Sequence, residues 1–169
     1  QTIYDLQFSL SAELGEDYFG AATTFVAAEI DQITRKAKIL SVGDSRAYLI
    51  DAQGKWQQIT QDHSILSELL ADFPDKKEED FATIYGGVSS CLVADYFEFQ
   101  DKIFYQEVEI QQGESLLLCS DGLTDGLSAE VREKIWKQYD NDKSRLTVCR
   151  KLIKKQKFYD DLSAIICAF

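Results

Sequence analysis

The sequence predicts an α+β layered domain, and three observations predict it. Short segments with strand character fill residues 23–59 and are separated by turn-length connections. The stretch 115–119 (SLLLC) is wholly apolar, as a central strand buried on both faces should be. Segments with helical periodicity gather in 128–155, ahead of one closing apolar stretch. Strands first, helices late and mostly antiparallel pairing is an α+β pattern.

Residues 23–30 (TTFVAAEI) and 36–42 (KAKILSV) read as strands joined by a hairpin-length loop. Gly43-Asp44-Ser45 is a turn signal. The alternating stretch 46–51 follows as a strand, Ala52-Gln53-Gly54 turns the chain, and 55–59 returns. Four strands on short connections predict an antiparallel meander. A helix should start at Asp62, because Ile65, Leu66, Leu69, Leu70 and Phe73 form an apolar stripe and Pro74 stops it. Residues 75–80 (DKKEED) form a charged, exposed loop, and 103–110 alternates as a strand.

Ser128 is a good N-cap, and Glu130 sits where the helix dipole favours an acid. Val131, Ile135 and Tyr139 share one face of that helix. A further helix over about 142–155 turns Leu146, Cys149 and Ile153 inward. Its outer face is basic, with Arg145, Arg150, Lys151, Lys154 and Lys155 read as a solvated side. Residues 162–169 close the chain as an apolar strand.

The chain has 169 residues, 45% of them apolar and 28% charged, which suits one globular domain. No apolar run approaches the roughly 18–20 residues of a membrane helix. Lys and Arg number 18 against 29 Asp and Glu, a net charge of −11. That balance argues against phosphate neutralisation on nucleic acid and against anionic membranes. It suits a soluble protein, or one that collects cations at a site. The four cysteines form no CxxC pair, and with one histidine a zinc site is not indicated. Cys119, Cys149 and Cys167 lie in apolar stretches as buried thiols would, which favours a reducing, cytoplasmic setting.

Three places could carry chemistry. Asp44 sits in a turn between strands, Asp121 directly follows SLLLC, and Asp160 and Asp161 precede the last strand. Carboxylates at strand ends ride on rigid elements and offer the oxygen ligands that Mg²⁺ and Mn²⁺ prefer. The plain alternative for each is a turn residue. His63, at the start of a helix, could be a general acid, and its plain reading is a structural or capping neighbour. Without a second histidine, GxSxG or a Walker glycine loop, neither a Ser–His–Asp hydrolase nor a P-loop is indicated.

Taken together, the segments resemble those of the metal-dependent, type 2C serine/threonine protein phosphatases. Gly20-Ala21-Ala22-Thr23-Thr24 before an apolar strand looks like that family's small-residue–Thr-Thr strand. Residues 41–49 (SVGDSRAYL) resemble its VGDSRAYL hairpin, and 59–64 (ITQDHS) its LTxDHS continuation. Residues 116–125 (LLLCSDGLTD) and 160–166 (DDLSAII) resemble its LLLCSDGLTD segment and final DNxT strand.

The resemblance implies a four-layer sandwich: two antiparallel sheets flanked by helices. It implies a Mg²⁺- or Mn²⁺-dependent hydrolase acting on phosphoserine or phosphothreonine in a kinase-modified protein, through a metal-bridged water. By position, Asp121 and Asp160 match ligands of the paired-metal centre. Asp44 and Asp125 match the acidic residues around an additional, weaker metal site. Residues 72–83 lie where the family carries its variable flap.

One departure is mild: 160–163 reads Asp-Asp-Leu-Ser. A larger one is that the family's first-strand acid, its phosphate-contacting Arg and its DGxGG segment have no counterpart, and no Asp-Gly precedes Asp121. The chain starts at Gln1 and contains no Met. The expectation is therefore a single type 2C-like domain over 1–169 that lacks its N-terminal metal-ligand segment. A phosphatase-like pseudoenzyme or regulatory binding domain stays open beside the enzyme.

Overall fold

The structure is a computed structural model of this chain and describes residues 3–14, 17–82, 87–95 and 102–169. In chain order the elements are α1 (Ile3–Leu14), β1 (Ala22–Thr23), β2 (Phe25–Asp31), β3 (Lys36–Val42), β4 (Arg46–Ile50) and β5 (Trp56–Gln58). After them come α2 (Ile65–Asp72), a 3₁₀ turn (Glu78–Asp80), β6 (Leu92–Val93), β7 (Phe104–Glu109) and β8 (Ser115–Cys119). The chain ends with α3 (Asp121–Thr124), α4 (Ala129–Gln138), α5 (Asp142–Ile153) and β9 (Ala164–Ala168). The chain divides into two compact units. One comprises Gln1–Phe25, Ser41–Asp44 and Asp62–Phe104; the other comprises Val26–Leu40, Ser45–Gln61 and Tyr105–Phe169.

The second unit is built around β8. Strand order is β5-β4-β8-β9 in a four-stranded sheet and β2-β3-β7 in a three-stranded one. β8 pairs antiparallel with β4, Leu117 opposite Tyr48, and with β9, Cys119 opposite Ala164. Its alternation serves two cores. Leu116 packs with Ala37, Ile39, Ala47, Ile59 and Ile110, where the two sheets meet face to face. Leu117 and Cys119 pack with Tyr48, Ile50, Ile135, Trp136, Cys149 and Ile153, under α4 and α5. The apolar stretch 115–119 is thus central and covered on both faces, as its composition predicts.

The expected single meander is not formed. β2-β3 and β4-β5 are hairpins of different sheets. Ala37 and Ile39 of β3 and Ala47 of β4 bury against one another in the shared core. Their strands therefore meet face to face rather than edge to edge, with the Gly43–Ser45 turn passing the chain between sheets. Asp31 and Asp51 make the hairpin turns locally: each Oδ1 accepts two backbone N–H groups, from Ile33 and Thr34 and from Gln53 and Lys55.

Three helix details depart from the sequence reading. α2 begins at Ile65, because Ser64 is the N-cap and accepts from the Ser67 N–H at 3.1 Å. α4 buries Ile135 and Trp136, while Val131 is exposed. Arg145 does not join the basic outer face of α5. It donates to the Tyr139 and Trp136 carbonyls at 2.7 and 3.2 Å, pairs with Asp142 at 2.8 Å and lies over the Trp136 ring. It thereby caps the C-terminal carbonyls of α4.

The first unit contains α1 and the β1–β6 pair. α1 buries Ile3, Gln7 and Ser11, an i, i+4, i+8 stripe that is mostly polar. The Gln7 amide donates to the Val93 carbonyl at 2.6 Å and accepts from the Val93 N–H at 3.1 Å. It serves β6 as a strand neighbour would. Among the described residues, no helix is long and apolar enough to cross a membrane.

Candidate functional site

The end of β8 makes a tight corner. Ser120 N–H donates to the Ser163 carbonyl at 3.0 Å, and Ser163 N–H returns to Ser120 Oγ at 3.1 Å. These bonds fasten Asp121 to the segment that carries Asp160. Gly122 is required there, because a methyl group on it would overlap the Asp161 carbonyl. The paired motifs of the sequence, Ser-Asp-Gly and Asp-Asp, therefore meet backbone to backbone.

Asp121 is half-buried at this corner. Burial pushes its carboxyl above the ordinary carboxylate value, and the charges of Asp125 and Asp160 push the same way. The Gly122 N–H and the Arg46 guanidinium oppose that rise. Arg46 arrives because its residue sits opposite Cys119 in the β4–β8 ladder. Its Nη1 donates to Thr124 Oγ1 at 2.5 Å and pairs with Asp125 at 3.2 Å, and Thr124 Oγ1 donates to the Asp121 carbonyl at 3.2 Å. Asp125 and Asp160 are exposed; one Asp160 oxygen accepts from the Asp161 N–H at 2.7 Å.

Asp44 belongs to the other unit, in the turn after β3. Gly43 carries a φ of +99°, and Thr24 fills the space that a side chain there would need. The Thr-Thr and Gly-Asp-Ser motifs are thus also partners in space. The turn is held against His63 by backbone and ring bonds: His63 N–H to the Gly43 carbonyl at 2.9 Å, and Gly43 N–H to His63 Nδ1 at 3.1 Å.

Of the four predicted ligands, Asp121, Asp125 and Asp160 are electrostatically coupled in one unit, and Asp44 stands in the other. Hard carboxylate oxygens pressed by mutual repulsion are the chemistry a divalent cation relieves. In number the donors fall short of a closed site: among the described residues no three His, Cys, Asp or Glu side chains form a group able to hold a metal ion. The supporting Arg46, Ser120 and Gly122 were not singled out by sequence, although all three stand inside the quoted motifs. Of the predicted flap segment, residues 72–82 are described and almost wholly exposed, and residue 83 lies outside the described residues.

Comparisons with known proteins show the family. The profile of the family described as Protein phosphatase 2C matches residues 8–145, a span that includes Asp44, Asp121 and Asp125 and ends before Asp160. The "Serine/threonine phosphatase stp" of Listeria innocua is 37% identical over 128 residues, which is 76% of this chain and 49% of that protein. The crystal structure of the serine/threonine phosphatase Stp1 from Staphylococcus aureus superposes with a TM-score of 0.79 at 26% identity, over 99% of this chain and 65% of that one. The catalytic domain of the serine threonine protein phosphatase PstP, in complex with 2 manganese ions, shares the fold: TM-score 0.73, 22% identity, 97% of this chain and 66% of that one. The chain belongs to the protein phosphatase 2C family. It spans about half the length of the curated relatives it matches.

Proposed function

We propose that this chain forms part of a metal-dependent phosphoprotein phosphatase that hydrolyses phosphoserine and phosphothreonine esters. The observation that carries the reading is the Asp121 corner, a half-buried carboxylate just past the end of the central strand that feels the charges of Asp125 and Asp160. Family membership and the names of the relatives support the reaction class. Asp121 and Asp160 would hold Mg²⁺ or Mn²⁺ in the main centre, with Asp44 and Asp125 at an additional, weaker site. A bound cation of this kind supplies positive charge and lowers the pKa of a coordinated water.

The chain's own residues set the stage. The Ser120–Ser163 bonds fix the direction of Asp121 relative to the segment before β9. Arg46 holds Asp125 and Thr124 and offsets part of the negative charge. We read 1–169 as belonging to one type 2C-like domain, since the matched residues run through both compact units. The thiols at Cys119 and Cys149 are buried and in no disulfide, which supports a reducing, cytoplasmic setting.

The test is hydrolysis of a phosphothreonine peptide with Mn²⁺, together with calorimetric Mn²⁺ binding, for the protein and for Asp121→Asn. The reading requires turnover that the substitution abolishes and binding that it weakens. Mn²⁺ binding without turnover would turn the assignment into a pseudoenzyme. Loss of neither on substitution would remove Asp121 from the centre.

A further inference from the structure

We propose that His63 is a positioning residue: as a neutral imidazole it clamps the Gly43–Asp44 turn and so fixes the backbone from which Asp44 reaches out. The importance of that placement rests on the reading of Asp44 given above; the clamp itself rests on geometry.

His63 is the single histidine of the chain and is 8% exposed. Two bonds run between it and Gly43 in opposite directions. Its N–H donates to the Gly43 carbonyl at 2.9 Å, and the Gly43 N–H donates to its Nδ1 at 3.1 Å. An Nδ1 that accepts carries no proton, so the ring proton sits on Nε2. A proton on Nδ1 would set donor against donor at a buried backbone group and leave the Gly43 N–H unpaired.

The surroundings close the turn from other directions. Thr24 packs where a Gly43 side chain would be, and the Ser90 carbonyl lies 3.3 Å from that position. Ser89 N–H donates to the His63 carbonyl at 2.9 Å, which holds the His63 backbone in turn. Glu68, an acid that feels the His63 charge, accepts from Ser89 Oγ at 2.8 Å and pairs with Lys102 Nζ at 3.0 Å. His63 is not the helix cap, because Ser64 performs that task for α2.

The test is nitrogen NMR of the His63 ring and amide exchange at Gly43 in the metal-free protein, with His63→Asn and His63→Gln. The Asn side-chain oxygen stands near the place of Nδ1 and keeps an acceptor for Gly43. The Gln amide stands near the place of Nε2 and does not. The clamp requires the Nε2–H tautomer in the wild type and near-wild-type protection of Gly43 in His63→Asn. It also requires roughly tenfold faster local exchange at Gly43 in His63→Gln, with the Val93 amide of the same unit and the β8 amides of the other unchanged as controls for wider unfolding. A proton on Nδ1, or equal Gly43 protection in His63→Gln and wild type, overturns it. If His63→Gln fails to fold, loss of Gly43 protection in His63→Asn overturns it instead, and retention supports it. Broadening of the Gly43 and Ser45 amide resonances by Mn²⁺, abolished by Asp44→Asn, tests the ligand role separately. Its absence would fell that role while the clamp result stands.

Discussion

The two compact units are held by different chemistry. In the unit that carries Asp121, two apolar clusters pack on opposite faces of β8. In the unit that carries Asp44, buried polar groups take a large share: Gln7, Ser11, Ser41, His63, Ser64 and Ser90. Several of these make directed hydrogen bonds, such as Gln7 with Val93 and Ser11, and His63 with Gly43. An apolar core tolerates changes of shape better than changes of volume. A buried hydrogen bond tolerates neither loss of its partner nor a change of geometry. The strand-end aspartate is thus mounted on packing, and the turn aspartate on polar bonds.

The largest effect should fall on the packed unit. Leu117 has no exposure and touches the helix-covered core. Leu117→Ala should cost about 3–5 kcal/mol, as buried Leu truncations do, read by urea denaturation. A cost under about 1 kcal/mol would mean that β8 is not the centre of a tight core. Next comes Gln7→Leu, which keeps the size and removes the amide. It leaves the Val93 N–H and carbonyl without their partner, so the expected cost is about 1–3 kcal/mol. If the Leu variant proved as stable as wild type, apolar packing rather than bonding would hold α1, and the contrast between the units would collapse.

That contrast also explains what the sequence revealed. β3 and β8 were legible to the residue, because alternation and an unbroken apolar run are direct consequences of burial. The four aspartates were named as candidate ligands through the motifs that contain them. α1 was not legible, since its buried stripe is Ile3, Gln7 and Ser11, and apolar periodicity is blind to a polar face. The meander failed because strand period says which residues face inward, not which sheet a hairpin joins. Arg145 failed as an outer-face residue because its long side chain turns back to the carbonyls ending α4. Likewise, strand-end position and the family resemblance named Asp121 and Asp160, but not the Gly122–Asp161 contact that brings their segments together.

A smaller effect tests the Asp121 corner by sign. Burial and the neighbouring charges of Asp125 and Asp160 disfavour its ionised form, with Arg46 opposing. Asp121→Asn should therefore stabilise the metal-free protein at neutral pH. The gain should stay below about 1 kcal/mol, because solvent screens a half-exposed group. The same substitution should weaken Mn²⁺ binding. Thermal denaturation with and without Mn²⁺ separates the two. Destabilisation without metal would mean that the carboxylate serves the fold, not a cation.

The smallest effect lies in the polar unit and runs the opposite way with pH. Lys102 and Ser89 hold the Glu68 carboxyl below its ordinary value of 4.5. A group depressed in the folded state adds stability that is present above its unfolded pKa and lost as pH falls through the folded one. Acid below about pH 4.5 should therefore loosen the Glu68–Ser89 contact, and with it the loop whose Ser89 N–H holds His63. Protonating Asp121 does the reverse and relieves repulsion in its corner. Lys102→Met should move the Glu68 titration back toward 4.5 by carboxyl-carbon NMR and leave the Asp121 titration where it was. Because Glu68 is reached by solvent, the change should register in its titration and in local amide exchange more than in global stability. An unmoved Glu68 would show that Lys102 does not hold it, and the polar unit would lose one of the bonds that set it apart.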